Sequence, residues 1–418
     1  MSKLIKNISA EEILDSRGNP TLKVTVSTDA GMGSFSVPSG ASTGTYEAVE
    51  LRDGDKERYG GLGVLKAIDL VEGTIGPALI GIDVTNQKEI DSTMLELDGT
   101  RNKSKLGGNS TIGVSIACAK AAATANGIET FDYLKSLASI RSSRPIPYLF
   151  LNLINGGKHA HSKLPIQEYH IVPMSDNIDS ALEISTEIFR NLREIIESEM
   201  SPSYANVGDE GGSTIDIGPT LDIDDISKPL ELLGKAVQKS GLLGKIRFAM
   251  DVAASSFYSD GRYIIGEKKL SSDDLMSVYN DLILKFNLFS IEDPFQEEDF
   301  ESFSKLHVDN KSIYVVGDDL SVTNVDRLNI AISKNSINAV IIKPNQVGTL
   351  SETLATMELA RNNNIECIIS HRSGETEDDF IADLAYAFGC FGIKTGAPNR
   401  GERVVKYNRL KHIINLNK

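Results

Sequence analysis

The sequence predicts an α/β chain in which a C-terminal (β/α)8-type barrel follows a smaller α+β domain. Two observations carry that prediction. From Pro147 onward, eight short apolar runs alternate with amphipathic stretches; apolar strands separated by helices imply a parallel sheet covered on both faces, and eight of them imply closure into a barrel. Before that point strand-like segments come first and helix-like ones afterwards, the order of an α+β unit. A length of 418 residues has room for both.

The elements follow in order. Residues 3 to 37 read as short strands separated by Gly18-Asn19-Pro20 and Gly31-Met32-Gly33, an antiparallel meander. From Leu62 to Leu137 the chain turns helical, with Ala-rich stretches such as TIGVSIACAKAAATA. The segment SIRSSRPIPY (139 to 148) suits neither regular element and serves as connector. The predicted division is therefore 1–138 and 139–418. The eight later runs are YLFLNLI, QEYHIVP, IRFAM, LFSI, IYVV, AVII, CIIS and FGIK. Between them, 178 to 200 is the clearest helix, with Ile178, Leu182, Ile188, Leu192 and Ile195 on one face. An open doubly wound sheet is the alternative architecture. GGLGVLK at 60 to 66 lacks the third glycine and the preceding strand of a phosphate loop and reads as an ordinary connector.

Composition narrows the function. A formal charge of −15 argues against a polyanionic partner such as nucleic acid. Cys118, Cys367 and Cys390 have no CxxC spacing, which predicts neither a disulfide framework nor a thiolate zinc site and favours a reducing cytoplasm. No secretory leader or membrane-spanning run is predicted.

In a barrel, the carboxyl ends of the strands converge on one mouth. After IRFAM comes Asp251, after LFSI Glu292, after IYVVG Asp318 with Asp319 beside it; AVII leads to Lys343, IIS to His371 and Arg372, and FGI to Lys394. Any one of these could be a helix cap, a turn former or a solvated charge. Together they would crowd three anions and several cations into one cleft, which is costly without a purpose. Three carboxylates without Cys or His suit a hard cation, Mg²⁺ or Mn²⁺. A lysine facing that ion and a second lysine is expected to shift toward its neutral form and act as a base. Such a set suits removal of a proton alpha to a carboxylate.

Upstream, GDEGG places Glu210 between glycines, and INGGKHA with PIQEY supplies His159, Gln167 and Glu168. His161 and His170 read as structural. The Ser/Gly/Thr-rich stretch within VPSGASTGTYEAVELRD reads as a mobile loop able to close over the mouth.

Taken as a set, these motifs resemble the enolase family: DSRGNPT (15 to 21), PSGASTG (38 to 44), LINGGKHA (153 to 160), QEY (167 to 169), GDEGG (208 to 212), DVAAS (251 to 255), SIEDPF (290 to 295), GDDLSVTN (317 to 324), KPNQVGTL (343 to 350), SHRSGETED (370 to 378) and IKTGAP (393 to 398). The resemblance runs the length of the chain in the family's order. It implies the enolase variant of the barrel and reversible dehydration of 2-phosphoglycerate to phosphoenolpyruvate with two Mg²⁺. By position, Lys343 matches the base and Glu210 the acid, with Glu168 and His371 beside them. Asp251, Glu292 and Asp318 match the ligands of one ion, and Ser42 joins the second when the loop closes. His159, Gln167, Arg372, Ser373 and Lys394 match substrate contacts, Arg372 and Ser373 on the phosphate and Lys394 near the carboxylate. The family also implies a homodimer or higher homo-oligomer.

The chain departs from the family pattern at Ser256, where an acid is usual, at Ser213-Thr214-Ile215, in the loop His161 to Pro165, and at Gly401. These departures touch loop closure and assembly rather than the matched catalytic groups. Two other functions compete: a related dehydratase acting on an unphosphorylated sugar acid, and a non-catalytic binding or structural protein.

Overall fold

The computed structural model describes residues 1–40, 44–160, 162–200, 206–215 and 221–417. Three antiparallel strands open the chain: β1 (Asn7–Leu14), β2 (Pro20–Ser27) and β3 (Met32–Ser36). Strand β2 buries Leu22, Val24 and Val26 by strict alternation. Helices α1 (Leu65–Leu70), α2 (Gln87–Asp98), α3 (Gly108–Asn126) and α4 (Thr130–Leu137) follow. Helix α3 is buried nearly all round because it lies on this sheet, and glycine at position 33 permits that approach: a Cβ there would stand 2.1 Å from the Ala121 amide nitrogen.

All eight apolar runs form strands: β4 (Tyr148–Asn155), β5 (Glu168–Pro173), β6 (Ile246–Asp251), β7 (Leu288–Glu292), β8 (Tyr314–Gly317), β9 (Ala339–Ile342), β10 (Glu366–Ser370) and β11 (Gly392–Lys394). They pair in chain order, and β11 pairs with β4, so the sheet closes. The open-sheet alternative is thereby excluded. Helices α5 (Ile178–Glu199), α6 (Lys228–Lys239), α7 (Ser272–Phe286), α8 (Phe300–Asp309), α9 (Val325–Ser333), α10 (Leu350–Asn362), α11 (Phe380–Ala387) and α12 (Gly401–Leu416) lie between and after the strands. Helix α5 begins where the Asn177 side chain accepts from the Ser180 amide, and it buries Ile178, Ile188, Leu192 and Ile195 as its spacing predicts.

One expectation needs correction: the sheet is not wholly parallel. Strand β5 runs antiparallel to both β4 and β6. The link from β4 holds, among its described residues, only the one-turn helix Gly157–His159, and a strand that returns without a crossover must run antiparallel. The start of β5, not its end, therefore reaches the mouth. No helix among the described residues is long and apolar enough to cross a membrane.

Candidate active site

The site is laid out by strand alternation above an apolar floor. Phe150, Val172, Ala249, Phe289, Val316, Ala339, Ile341, Ile368 and Phe391 fill the barrel interior. Two residues further toward the mouth, on the same inward face, stand Asn152 above Phe150, Asp251 above Ala249, Asp318 above Val316 and Lys343 above Ile341. On antiparallel β5 the same step runs backwards, from Val172 to His170 to Glu168. A bulge in β7 between Leu288 and Ser290 sets Glu292 opposite Asp251, and Glu168 is opposite Asp251 from the other side. Register alone thus puts three acids at one level.

The cleft above this floor, about 210 Å³, is lined by His159, Gln167, Glu168, Glu210, Asp251, Asp318, Lys343, His371, Arg372, Ser373 and Lys394. Of the remaining predicted residues, Glu292 is buried behind Lys394, and Ser42 lies outside the described residues, as does His161.

Lys394 Nζ is 2.9 Å from Asp251 Oδ2, 2.8 Å from Glu292 Oε1 and 3.2 Å from Glu168 Oε2. Burial alone would push this ammonium toward neutrality, but the surrounding carboxylates outweigh it and hold Lys394 well above the usual lysine range. Lys343 pairs with Asp318, whose other oxygen accepts from Gln346 at 3.0 Å. Burial, Arg372 and Lys394 press Lys343 toward its neutral form, yet among the protein's own groups Asp318 wins and the ammonium is favoured; the divalent ion on which the expectation of a neutral lysine also rests is not one of those groups. The second lysine that the sequence expects is present as Lys394; the directly bonded carboxylate is stronger because it is nearer.

The acids are unequal. Burial, then Asp251, pushes Glu292 well above the usual carboxylate range; burial, Asp319 and Asp318 do the same to Asp293, and burial with Asp318 lifts Asp319 to about 7. For Asp318, burial acts upward but Lys343 and Lys394 carry it below its usual value. This surplus of buried, oxygen-only donors fits a hard divalent cation. Asp293, Asp318 and Asp319 each bring an oxygen within 4.8 Å of the others, a spacing that Asp251, Glu292 and Asp318 do not meet here. Asp293 is itself committed, accepting from the Asp318 and Asp319 amides at 2.9 and 2.7 Å.

Glu210 reaches the mouth because residues 213 and 214 add a short parallel strand beside β4. Its Oε2 accepts from Asn152 Nδ2 at 3.0 Å and lies 3.2 Å from His371 Nε2; its Oε1 lies 3.5 Å from His159 Nδ1. Burial and Glu168 push its carboxyl up, but His371 and His159 hold it below the usual range. Around the ring, Glu210 sits by β4 and Lys343 directly after β9, three strands apart one way and five the other. Arg372 Nη1 donates to Glu47 Oε2 at 2.9 Å and Asn345 Oδ1 at 3.0 Å.

Several polar partners escaped the sequence reading. His170, expected to be structural, bonds Glu168 Oε2 at 2.7 Å; its place two residues from Glu168 on one strand was the available signal. Asn152 could have been found by the same alternation. Glu47 and Arg403 had no local signal, since each meets the site from a distant segment.

Comparison with known proteins gives the family. Residues 5–134 match the enolase N-terminal domain, and residues 142–416 match the enolase C-terminal TIM barrel domain. The chain is 48% identical over 414 residues to the enolase of Campylobacter lari, covering 98% of this chain and 97% of that one. It is 47% identical over 412 residues to the enolase of Methanococcus aeolicus, with 98% and 94% covered, and 46% identical over 423 residues to enolase 1 of Entamoeba histolytica, with 98% and 95% covered.

Proposed function

The chain belongs to the enolase family, and on that premise we propose how its cleft carries out the reversible dehydration of 2-phosphoglycerate to phosphoenolpyruvate. The observation that carries the reading is the separation of one amine and one carboxylate across the barrel mouth. Lys343 Nζ takes the alpha proton, and Glu210, whose carboxylate form His371 and His159 favour here, must first gain a proton before it delivers one to the departing hydroxyl from the other wall. Elimination needs its base and acid on different sides of the substrate, and β9 and the loop beside β4 supply them.

Arg372 and Ser373 hold the phosphate, for which a planar guanidinium is well shaped. Arg372 is bound to Glu47 in this structure, so phosphate must displace that carboxylate or share the guanidinium with it. Lys394 faces the substrate carboxylate, and His159 and Gln167 complete the walls. By resemblance to the family, Asp251, Glu292, Asp318 and Ser42 are the residues that would hold two Mg²⁺ ions, which would require the three acids to draw closer than they stand here. When bound, these ions supply positive charge for the substrate carboxylate as its alpha proton is removed. Lys343 can accept a proton only after releasing its bond to Asp318; Arg372 and Lys394 then favour its neutral form.

Three buried free cysteines suit a reducing cytoplasm. Division at 138/139 and assembly as at least a homodimer belong to the same proposal. The test follows the conjugated product from 2-phosphoglycerate with Mg²⁺, with chelator, and in Lys343→Ala. Turnover is expected in the first arm alone. Full turnover in either other arm overturns the mechanism, and none in the first favours a non-catalytic role.

A further inference from the structure

Arg403, in the first turn of α12, is fully buried. Its Nη1 is 2.7 Å from His371 Nδ1 and donates to the Arg372 carbonyl at 2.6 Å; its Nη2 donates to the carbonyls of Asp209 at 2.9 Å and Ser373 at 2.6 Å. Gly396 makes the convergence possible: at φ +81°, a Cβ there would stand 2.6 Å from the Glu210 carbonyl oxygen and 3.0 Å from Arg403 Cδ.

A guanidinium has no acceptor and does not deprotonate, so His371 Nδ1 must present its lone pair to Arg403. A neutral ring then carries its one proton on Nε2. That nitrogen is 3.2 Å from Glu210 Oε2, although not aligned for a hydrogen bond, and Asn152 donates to the same oxygen at 3.0 Å. With Asn152 donating to Oε2 and the His371 Nε2 proton 3.2 Å from that same oxygen, a proton on Glu210 belongs on Oε1, the oxygen 3.5 Å from His159 Nδ1.

We propose that Arg403 is a positioning residue of this reaction: by donating to His371 Nδ1 it fixes the Nε2–H tautomer, and with Asn152 it confines proton exchange at Glu210 to Oε1. The proposal deepens the function proposed above and rests on Glu210 being the acid. A residue that only staples loops would use the three carbonyls and leave the imidazole free to choose its tautomer. Orientation of a histidine by the partner on its far nitrogen is a strong lever on proton transfer in general.

The test reads the tautomer directly. The full chain, metal-free and labelled with ¹⁵N-histidine, is examined by NMR near neutral pH, the His371 signals being assigned by their loss in His371→Gln. Nε2–H with a bare Nδ1 is expected; a proton on Nδ1, alone or with Nε2, overturns the proposal. Arg403→Met should then show mixed tautomers, with kcat lower by about tenfold to a hundredfold and KM within about threefold, and Arg403→Lys should restore part of kcat. A folded Arg403→Met with unchanged tautomer and unchanged kcat overturns it as well. If neither variant folds, the parent's tautomer decides. That signal needs no turnover, so failure of the hydratase assay would break the functional reading without touching this result.

Discussion

The floor and the mouth of this barrel are built by the same strands, one inward step apart, yet they obey opposite rules. At the floor, Phe150, Phe289, Tyr314 and Phe391 stack edge and face against one another, with ring centroids 4.5 to 6.3 Å apart. At the mouth, equally buried positions carry Glu168, Asp251, Glu292, Asp318 and Lys394, with Lys343 part-buried beside them. Burial is similar in both layers; only partnership differs. The floor tolerates burial because it is apolar, whereas the mouth tolerates it because ammonium groups stand among carboxylates. The floor closes the base of the cleft, and the resulting dryness strengthens each charge contact above it.

Substitutions that cross this division should separate turnover from stability. The largest effect on turnover is expected from Lys343→Ala: kcat falls by about 10²- to 10⁴-fold, measured as product absorbance under saturating substrate and Mg²⁺. A loss below tenfold would mean that the mouth does not depend on this amine. Next is His170→Phe, which extends the aromatic floor one layer upward. It removes the 2.7 Å bond to Glu168 and should lower kcat about tenfold while leaving cooperative melting intact. An unchanged kcat would place His170 with the floor after all. The smallest effect on turnover is expected from Phe391→Ala. It opens a cavity and should cost about 3–5 kcal/mol by denaturant titration. Turnover per folded molecule should stay within about threefold; a collapse of kcat would show that floor packing sets the geometry above it.

Much of the barrel was legible because each strand is an apolar run whose terminal charge stands out. Asp251, Glu292, Asp318, Lys343, His371 and Lys394 could be named from that alternation, and all reach the mouth or lie just behind it. The reversed direction of β5 was not legible, because an apolar run has no polarity and the short link after β4 reads like any other loop. Nor was the ion pair between Lys343 and Asp318. The sequence supplied a second lysine as a like-charged neighbour but could not say that Asp318 bonds Lys343 directly.

The sequence by itself determined which residues are apolar, which are charged, and how far apart along the strands they stand; through the two-residue period of a strand this sets floor and mouth. Only the tertiary structure decided which charges became partners. Arg403 meets His371, and Glu47 meets Arg372, across separations of 32 and 325 residues. Contacts closed over such lengths depend on how sheet, loops and C-terminal helix pack, and Coulomb energy at bonding distance depends on ångströms that no local pattern encodes.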